Sequence, residues 1–465
     1  MKKKKISLII FLVIFTLSSV IVKAIPTMDL YQYNTVKEVE DDKTIKNIIS
    51  TNNDEVGVLI KEKKLEIEKL EVLKSGETTD TYQTTLGNNS ALLVYKNSDI
   101  SVKQASIATQ GINAYGIFTN NSKLKLDNTE ITTSNTKSTG IYTSNSEITI
   151  SNLSLLTKNI SSPAIYDTAS SNIEIKDSEI ITENELSPAI CTSGKLTIEN
   201  TNIQTSMSQG IVIDSGAEVS LINTKLYTSD TSSSDNLREY KNIDLKQTKD
   251  STKQTRLNIT SSEITTESGT PFYITNKDTI LNLKDNKILS NSLNVITIKD
   301  LNKSKDKIKA EINLDKQIIE GNVEVDAQAD TNITMKNKSR MQGALLGNNK
   351  NIDVTIDKTS FIILTGDSYL ANLNNEVKDN SNIYLNNHTL YVNGEKVEGS
   401  NDTPPSLYED EIKSKDKQEE TVEKKVKSSI NLTIAIISIV ITLVIVITII
   451  LIITIKRNKN NVIYK

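Results

Sequence analysis

The 465-residue sequence predicts an all-β fold. The expected architecture is a single-stranded, right-handed parallel β-helix of roughly a dozen rungs, each about 24 residues long, followed by one C-terminal transmembrane helix. Three observations predict it. A short phrase with a central aliphatic residue returns at near-fixed spacing. An alternating polar/apolar phrase follows it, and one narrow class of polar residue stands in the middle of that second phrase.

Leu93, Ile117, Ile141, Ile165, Ile190 and Ile211 mark the first phrase, in "ALLV", "YGIF", "TGIY", "PAIY", "PAIC" and "QGIV", at spacings of 24, 24, 24, 25 and 21. The second phrase reads "LKLDNTEI" at 124–131, "ITISNLSL" at 148–155, "IEIKDSEI" at 173–180 and "LTIENTNI" at 196–203, with further copies at 100–107, 219–226, 257–264 and 281–288. Apolar residues at its first, third and eighth places bury one face of a strand. The alternating phrases are rich in β-branched residues and free of proline, as strands require. Val102, Leu126, Ile150, Ile175, Ile198 and Leu221 are expected to line the interior as one column. The fifth place holds Asn128, Asn152, Asp177, Asn200, Asn223 and Asp285 in six of the eight copies, with Gln104 and Ser261 in the others. Asn and Asp tolerate the left-handed backbone region and suit a tight corner. These six are expected to stack as a structural corner ladder.

The remaining segments follow in order. Residues 1–24 open with four lysines after Met1, followed by an apolar run and a Val22-Lys23-Ala24 end, the pattern of a signal peptide. Residues 25–56 are expected to form an N-terminal cap, with "TVKEVEDDKTIKNIIS" at 35–50 partly compatible with helix. The β-helix runs over 57–397, with an inserted polar loop at 229–240 and a closing stretch at 368–397. Residues 398–427 are charged and contain Pro404 and Pro405, which suits a solvated tether. Residues 428–455 carry no charge and are long enough to cross a bilayer as a helix. The cations of 456–465 mark a cytoplasmic tail. The expected localisation is thus a single-pass cell-membrane protein with an extracellular N-terminal ectodomain.

Composition narrows the function. A single cysteine excludes an intramolecular disulfide, and a net charge of -4 with a pI near 5.5 supplies no basic face for nucleic acid.

Four stretches carry a family resemblance: "NAYGIFTNNSKLKLDNTEITTS" (113–134), "SPAIY" with "SPAIC", "GNVEV" (321–325) and the closing "IILTGDSYLANLNNEVKDNSNIYLNNHTLYVNGEKV" (362–397). On these the chain resembles secreted bacterial parallel β-helix proteins with a pectate-lyase-like coil, described as adhesin-like or as carrying a carbohydrate-binding domain. The likeness runs from about residue 57 to 397. It implies a coil used for binding, with acidic polysaccharide and calcium as partners. This chain departs from that pattern in its abundance of lysine and its 16 glycines.

A hydrolase on such a coil needs two carboxylates at a suitable separation, and a lyase needs a calcium site beside a base. The seventh place of the alternating phrase mixes Ser106, Glu130, Ser154, Glu179, Asn202, Lys225, Glu263 and Lys287, a solvated face. The nearest to a metal set is Asp177, Glu179, Glu183 and Glu185, with Asp41-Asp42 a smaller group. His388, the only histidine, has no evident partner and reads as structural. Tryptophan is absent, but Tyr115, Tyr142 and Tyr166 fall on or beside successive marker strands. Facing outward they would offer a stacking ladder for a glycan; facing inward they would be core. Cys191 shares a column with Phe118, Tyr142, Tyr166 and Val212, which marks it as a packing residue. No catalytic residue can be assigned. The expected function is a membrane-anchored, cell-surface binding or adhesion module for polysaccharide or a host or wall glycan. The alternatives are a polysaccharide lyase or hydrolase on the same coil, and a passive structural surface protein.

Overall fold

The computed structural model describes residues 27–79, 85–229, 241–247, 253–301 and 306–408. The expected signal peptide, the transmembrane segment 428–455, the tail, most of the tether and the loop from residue 230 onward lie outside these. Among the described residues there is no α-helix, and no helix is long and apolar enough to cross a membrane.

Each regular rung consists of three short strands separated by corners. The "SPAIY" rung contributes Ile165–Asp167, Asn172–Lys176 and Glu179–Thr182. The "SPAIC" rung contributes Ile190–Thr192, Lys195–Glu199 and Asn202–Thr205, and each strand pairs in parallel with its counterpart. The marker strands stack into one 13-stranded sheet running from Asn34–Glu38 to Leu345–Leu346. The other two faces are continuous through the corner in Lys123–Thr133 and Glu147–Thr157, strands of 11 residues each. At the C-terminal end, Ser368–Leu370 pairs in parallel with Leu390–Val392, which then pairs antiparallel with Glu395–Val397. The coil belongs to the unit Met1–Thr403; of the second unit, Pro404–Lys465, only residues 404–408 are described.

The registers follow the predicted columns. Val102, Leu126, Ile150, Ile175, Ile198 and Leu221 are mutual neighbours, each at most 1 % exposed. Ile117, Ile141, Ile165, Ile190 and Ile211 are likewise in register. One marker is displaced: Leu92, not Leu93, pairs with Ile117, and Leu93 pairs with the outward Phe118. Every residue of Ser90–Tyr95 is buried, so "ALLV" carries no alternation to reveal which leucine faces inward.

The stretch expected as a partly helical cap is instead part of the coil. Asn34–Glu38 and Thr44–Ser50 pair in parallel with Glu55–Lys61 and Lys69–Lys74. Val39 and Ile45 enter the core, while charges lie outside in pairs such as Lys37–Asp42 at 2.9 Å and Lys61–Glu38 at 2.8 Å. Asp42 of the Asp41-Asp42 group is therefore engaged by a lysine. Charged outward residues also suit a terminal strand, whose open edge invites other chains.

The corners have a shared construction. Asn128, Asn152, Asp177, Asn200, Asn223 and Asp285 all adopt positive φ, between 45° and 54°. Side-chain ladder bonds link only part of this column: Asn200 Nδ2 donates to Asp177 at 3.1 Å, and Asn223 Nδ2 donates to Asn200 at 2.7 Å. Asn152 instead donates to Asp127 at 2.9 Å, and Asp285 accepts from Lys316 Nζ at 2.8 Å.

The residue after each left-handed one points inward and supplies a second, buried ladder. Leu153 N donates to Ser178 Oγ at 3.1 Å and Thr224 N to Ser262 Oγ at 3.0 Å. The line continues through Asn286 and Gln317, which accept from Ser262 N at 2.9 Å and Asn286 N at 3.0 Å. The other two corners repeat the device. Ser138 N donates to Ser162 Oγ and Ser162 N to Ser187 Oγ, both at 3.0 Å, ahead of the marker strand. After it, Ser122 N donates to Ser146 Oγ at 3.3 Å and Ser146 N to Ser171 Oγ at 3.2 Å. A corner breaks the strand ladder and orphans an amide; a hydroxyl from the next rung satisfies it.

Asn200→Ala is expected to destabilise the coil by about 1–2 kcal/mol, because alanine carries the full cost of the left-handed conformation. Asn200→Gly should recover most of that loss in urea titrations. Equal loss in both variants would place the cost in the ladder bonds and not in the backbone.

Candidate functional site

The outward column of the marker sheet runs Leu93, Phe118, Tyr142, Tyr166, Cys191, Val212, Asp244 and Tyr273. Phe118, Tyr142 and Tyr166 form a continuous stack. Phe118 and Tyr142 lie face to face, with centroids 4.5 Å apart and planes at 10°. Tyr115 meets Phe118 at 5.5 Å and Tyr142 at 5.3 Å, and Tyr142 reaches Tyr166 at 5.8 Å. The structure thus brings the three singled-out tyrosines together around Phe118.

Their exposure is graded. Val56, Leu59, Leu93, Tyr95, Tyr115 and Phe118 form a second, small core on this outer face, against which Met28, Tyr33 and Tyr142 pack. Tyr33 Oη donates to Leu86 O at 2.8 Å and pins this cover. Gly87, at φ +67°, lies so close over Phe118 that a Cβ would stand 2.5 Å from the ring. Tyr115 is 7 % exposed and Phe118 1 %, whereas Tyr166 is 38 % exposed. Of the three, Tyr115 is covered, Tyr142 half-buried, and Tyr166 is the open end.

A cleft of about 190 Å³ begins there, lined by Tyr166, Cys191 and Val212 with Asp214 and Lys246 at its edge. Asp214 and Lys246 end adjacent marker strands and stand opposite one another in register. Asp167, also at the cleft, is buried and serves the backbone. It accepts from Ser193 N at 3.2 Å and Ser171 N at 3.3 Å, and from the Thr192 hydroxyl at 3.3 Å. Burial raises the Tyr142 and Tyr166 phenols above the ordinary range. It also pushes the Cys191 thiol up to about 12, against the opposing pull of Lys246. The thiol is therefore protonated at neutral pH and is a wall of the cleft, not a nucleophile. In the native protein at pH 8, iodoacetamide should modify Cys191 far more slowly than in urea. Equal rates would contradict the raised thiol pKa.

The arrangement suits a ligand with one apolar and one polar aspect. A tyrosine face offers a flat apolar surface, and a carboxylate with an ammonium group at the rim offers an acceptor and donors.

The acids proposed for calcium are spread out. Asp177 is a corner residue engaged by Asn200, and Glu179 begins the next strand between Ser154 and Asn202. Glu183 and Glu185 lie beyond the far end of that strand, Glu179–Thr182. Among the described residues, no group of three or more His, Cys, Asp and Glu side chains is gathered where it could hold a metal ion. His388 is half-buried and its N–H donates to Leu385 O at 2.8 Å in the closing turns.

No protein-family model matches the chain, and no curated protein matches it. Among solved structures it is similar to the catalytic unit of a thermostable GH87 α-1,3-glucanase from Streptomyces thermodiastaticus, at 9 % identity and a TM-score of 0.25. The alignment covers 66 % of this chain and 62 % of that one, so the chain spans less than two thirds of the glucanase unit.

Proposed function

We propose that the chain is a surface-displayed binding module that recognises polysaccharide or a host or wall glycan through the cleft at Tyr166. The supporting observation is the graded aromatic column, which is sealed at Phe118 and opens at Tyr166 beside a carboxylate and an ammonium group. A sugar ring presents C–H groups on its faces and hydroxyls on its edge, and that division matches the cleft. In this proposal the coil is right-handed, the hand that parallel crossovers take. The segment 1–24 directs export, 428–455 anchors the coil in the cell membrane with its tail inside, and 398–427 holds it away from the surface. Binding proceeds without turnover.

Full-length protein on a glycan array should retain at least one glycan. Tyr166→Ala should weaken that binding by about tenfold or more, equivalent to about 1.4 kcal/mol. An array with no retained glycan would refute the reading, and release of reducing or unsaturated sugar ends from the bound polymer would refute the absence of catalysis.

A further inference from the structure

A second concave surface lies along other strands of the coil. Asp278–Lys284, Ile308–Asp315, Ala329–Lys336, Ile352–Ile356 and Asn372–Asn375 stack in parallel, and their leading residues edge a groove of about 600 Å³. That volume is in the range of ligand sites.

Two side-chain columns advance along the groove, one rung per step. Asp278, Lys309 and Asp330 form the first; Glu311, Asn332, Asp353 and Asn372 form the second. Three of the carboxylates are steadied by amides: Asp278 by Gln254 at 3.0 Å, Glu311 by Asn313 at 2.8 Å and Asp353 by Asn372 at 2.8 Å. Asp330 accepts from Lys307 Nζ at 2.8 Å.

The charge pattern selects the occupant. A polyanion would face Asp278, Glu311, Asp330 and Asp353, and a polycation would face Lys307, Lys309 and Lys350. A neutral polyol meets neither penalty. At each rung its hydroxyls find carboxylates that accept and amide or ammonium groups that donate. Rungs recur every ~4.8 Å, close to the advance of one sugar ring in an extended polysaccharide. We propose that this groove is a second binding site, for a neutral, hydroxyl-rich polysaccharide lying along the coil axis. It has no aromatic lining and does not depend on the Tyr166 cleft.

The test is calorimetric titration of full-length protein with cellohexaose, xylohexaose and laminarihexaose, with hexagalacturonate and chitosan hexamer as charged controls. At least one neutral hexasaccharide should bind. The double variant Glu311→Gln/Asp353→Asn should lose about tenfold in affinity, since charged acceptors make the stronger hydrogen bonds. Asn332→Arg, at an exposed position, should obstruct the groove without altering its carboxylates. The proposal is overturned if none of the three neutral hexamers binds, or if hexagalacturonate or the chitosan hexamer binds more tightly. Loss of binding with Tyr166→Ala but not with the groove variants would likewise overturn it.

Discussion

Replacing Ile175 by alanine is expected to destabilise the coil by about 4–5 kcal/mol, near the top of the range for a deleted core side chain. Ile175 is fully buried and sits in register between Ile150 and Ile198. The cost depends on how far the surroundings collapse into the cavity. Here the neighbours above and below are held at the strand spacing by parallel hydrogen bonds, so collapse is limited. Each rung contacts chiefly its neighbours, so the loss is felt first as local weakening of the adjoining rungs. Glu174→Ala, one residue away on the outward face, should fall within about 0.5 kcal/mol of the parent. Urea unfolding of the two variants decides it; similar losses at both positions would contradict the assigned inside and outside faces.

The second large effect concerns Lys74. It lies in the inward column that continues as Thr109, Thr133 and Thr157, and it is fully buried. Its Nζ donates to Asn52 O at 2.8 Å. Burial pulls its pKa down to about 8, against the opposing pull of Glu55 and Asp54. The folded value lies below the unfolded one, near 10.4. Between those two values the unfolded chain binds more protons, so stability contributed by this residue rises with pH through that window. Below about 8 the cost of burying the ammonium group is present in full. Lys74→Met should therefore stabilise the protein at pH 7 by on the order of 2–3 kcal/mol and remove the rise between pH 8 and 10. The quantity to measure is the difference between the two proteins, because the raised tyrosines act in the opposite direction above pH 10. A constant difference across pH 7–10 would show that the ammonium group is not buried in the folded state.

Much of the fold was legible because a period-two pattern has only two phases. Ile150 and Ile175 declare themselves by their polar neighbours, and Asn at the fifth place declares the corner. Where both faces are buried, as in Ser90–Tyr95, the phase is lost, and the marker slips from Leu92 to Leu93. At 35–50 the dense charges obscured strands whose Val39 and Ile45 enter the core. The buried serine ladders were hidden for a chemical reason. Ser146, Ser162 and Ser187 look like surface residues in a sequence, yet each accepts a hydrogen bond from an amide that a corner has orphaned. Their signature is present as the pairs Asn121-Ser122, Asn145-Ser146, Asn200-Thr201 and Asn223-Thr224.

The site was legible in part. Tyr142 and Tyr166 follow the regular period and could be placed in one column. Asp214 and Lys246 could not, because the insertion after residue 229 separates two residues that stand opposite each other in the sheet. Most of the second groove's residues lie beyond residue 305, where the spacing between rungs changes. Glu311, Asn332 and Asp353 align there at a spacing of 21 rather than 24.

The chain has 15 tyrosines and no tryptophan, so tyrosine emission is not masked by tryptophan, and the Tyr166 variants isolate the cleft's share of it. The decisive measurement is a fluorescence titration of full-length protein with the glycan retained on the array, run beside Tyr166→Ala and Tyr166→Phe. Stacking at the cleft predicts a saturable change in the parent, near-parent affinity in Tyr166→Phe, and loss of both signal and binding in Tyr166→Ala. Undiminished binding by Tyr166→Ala would contradict the assignment of the cleft as the recognition site.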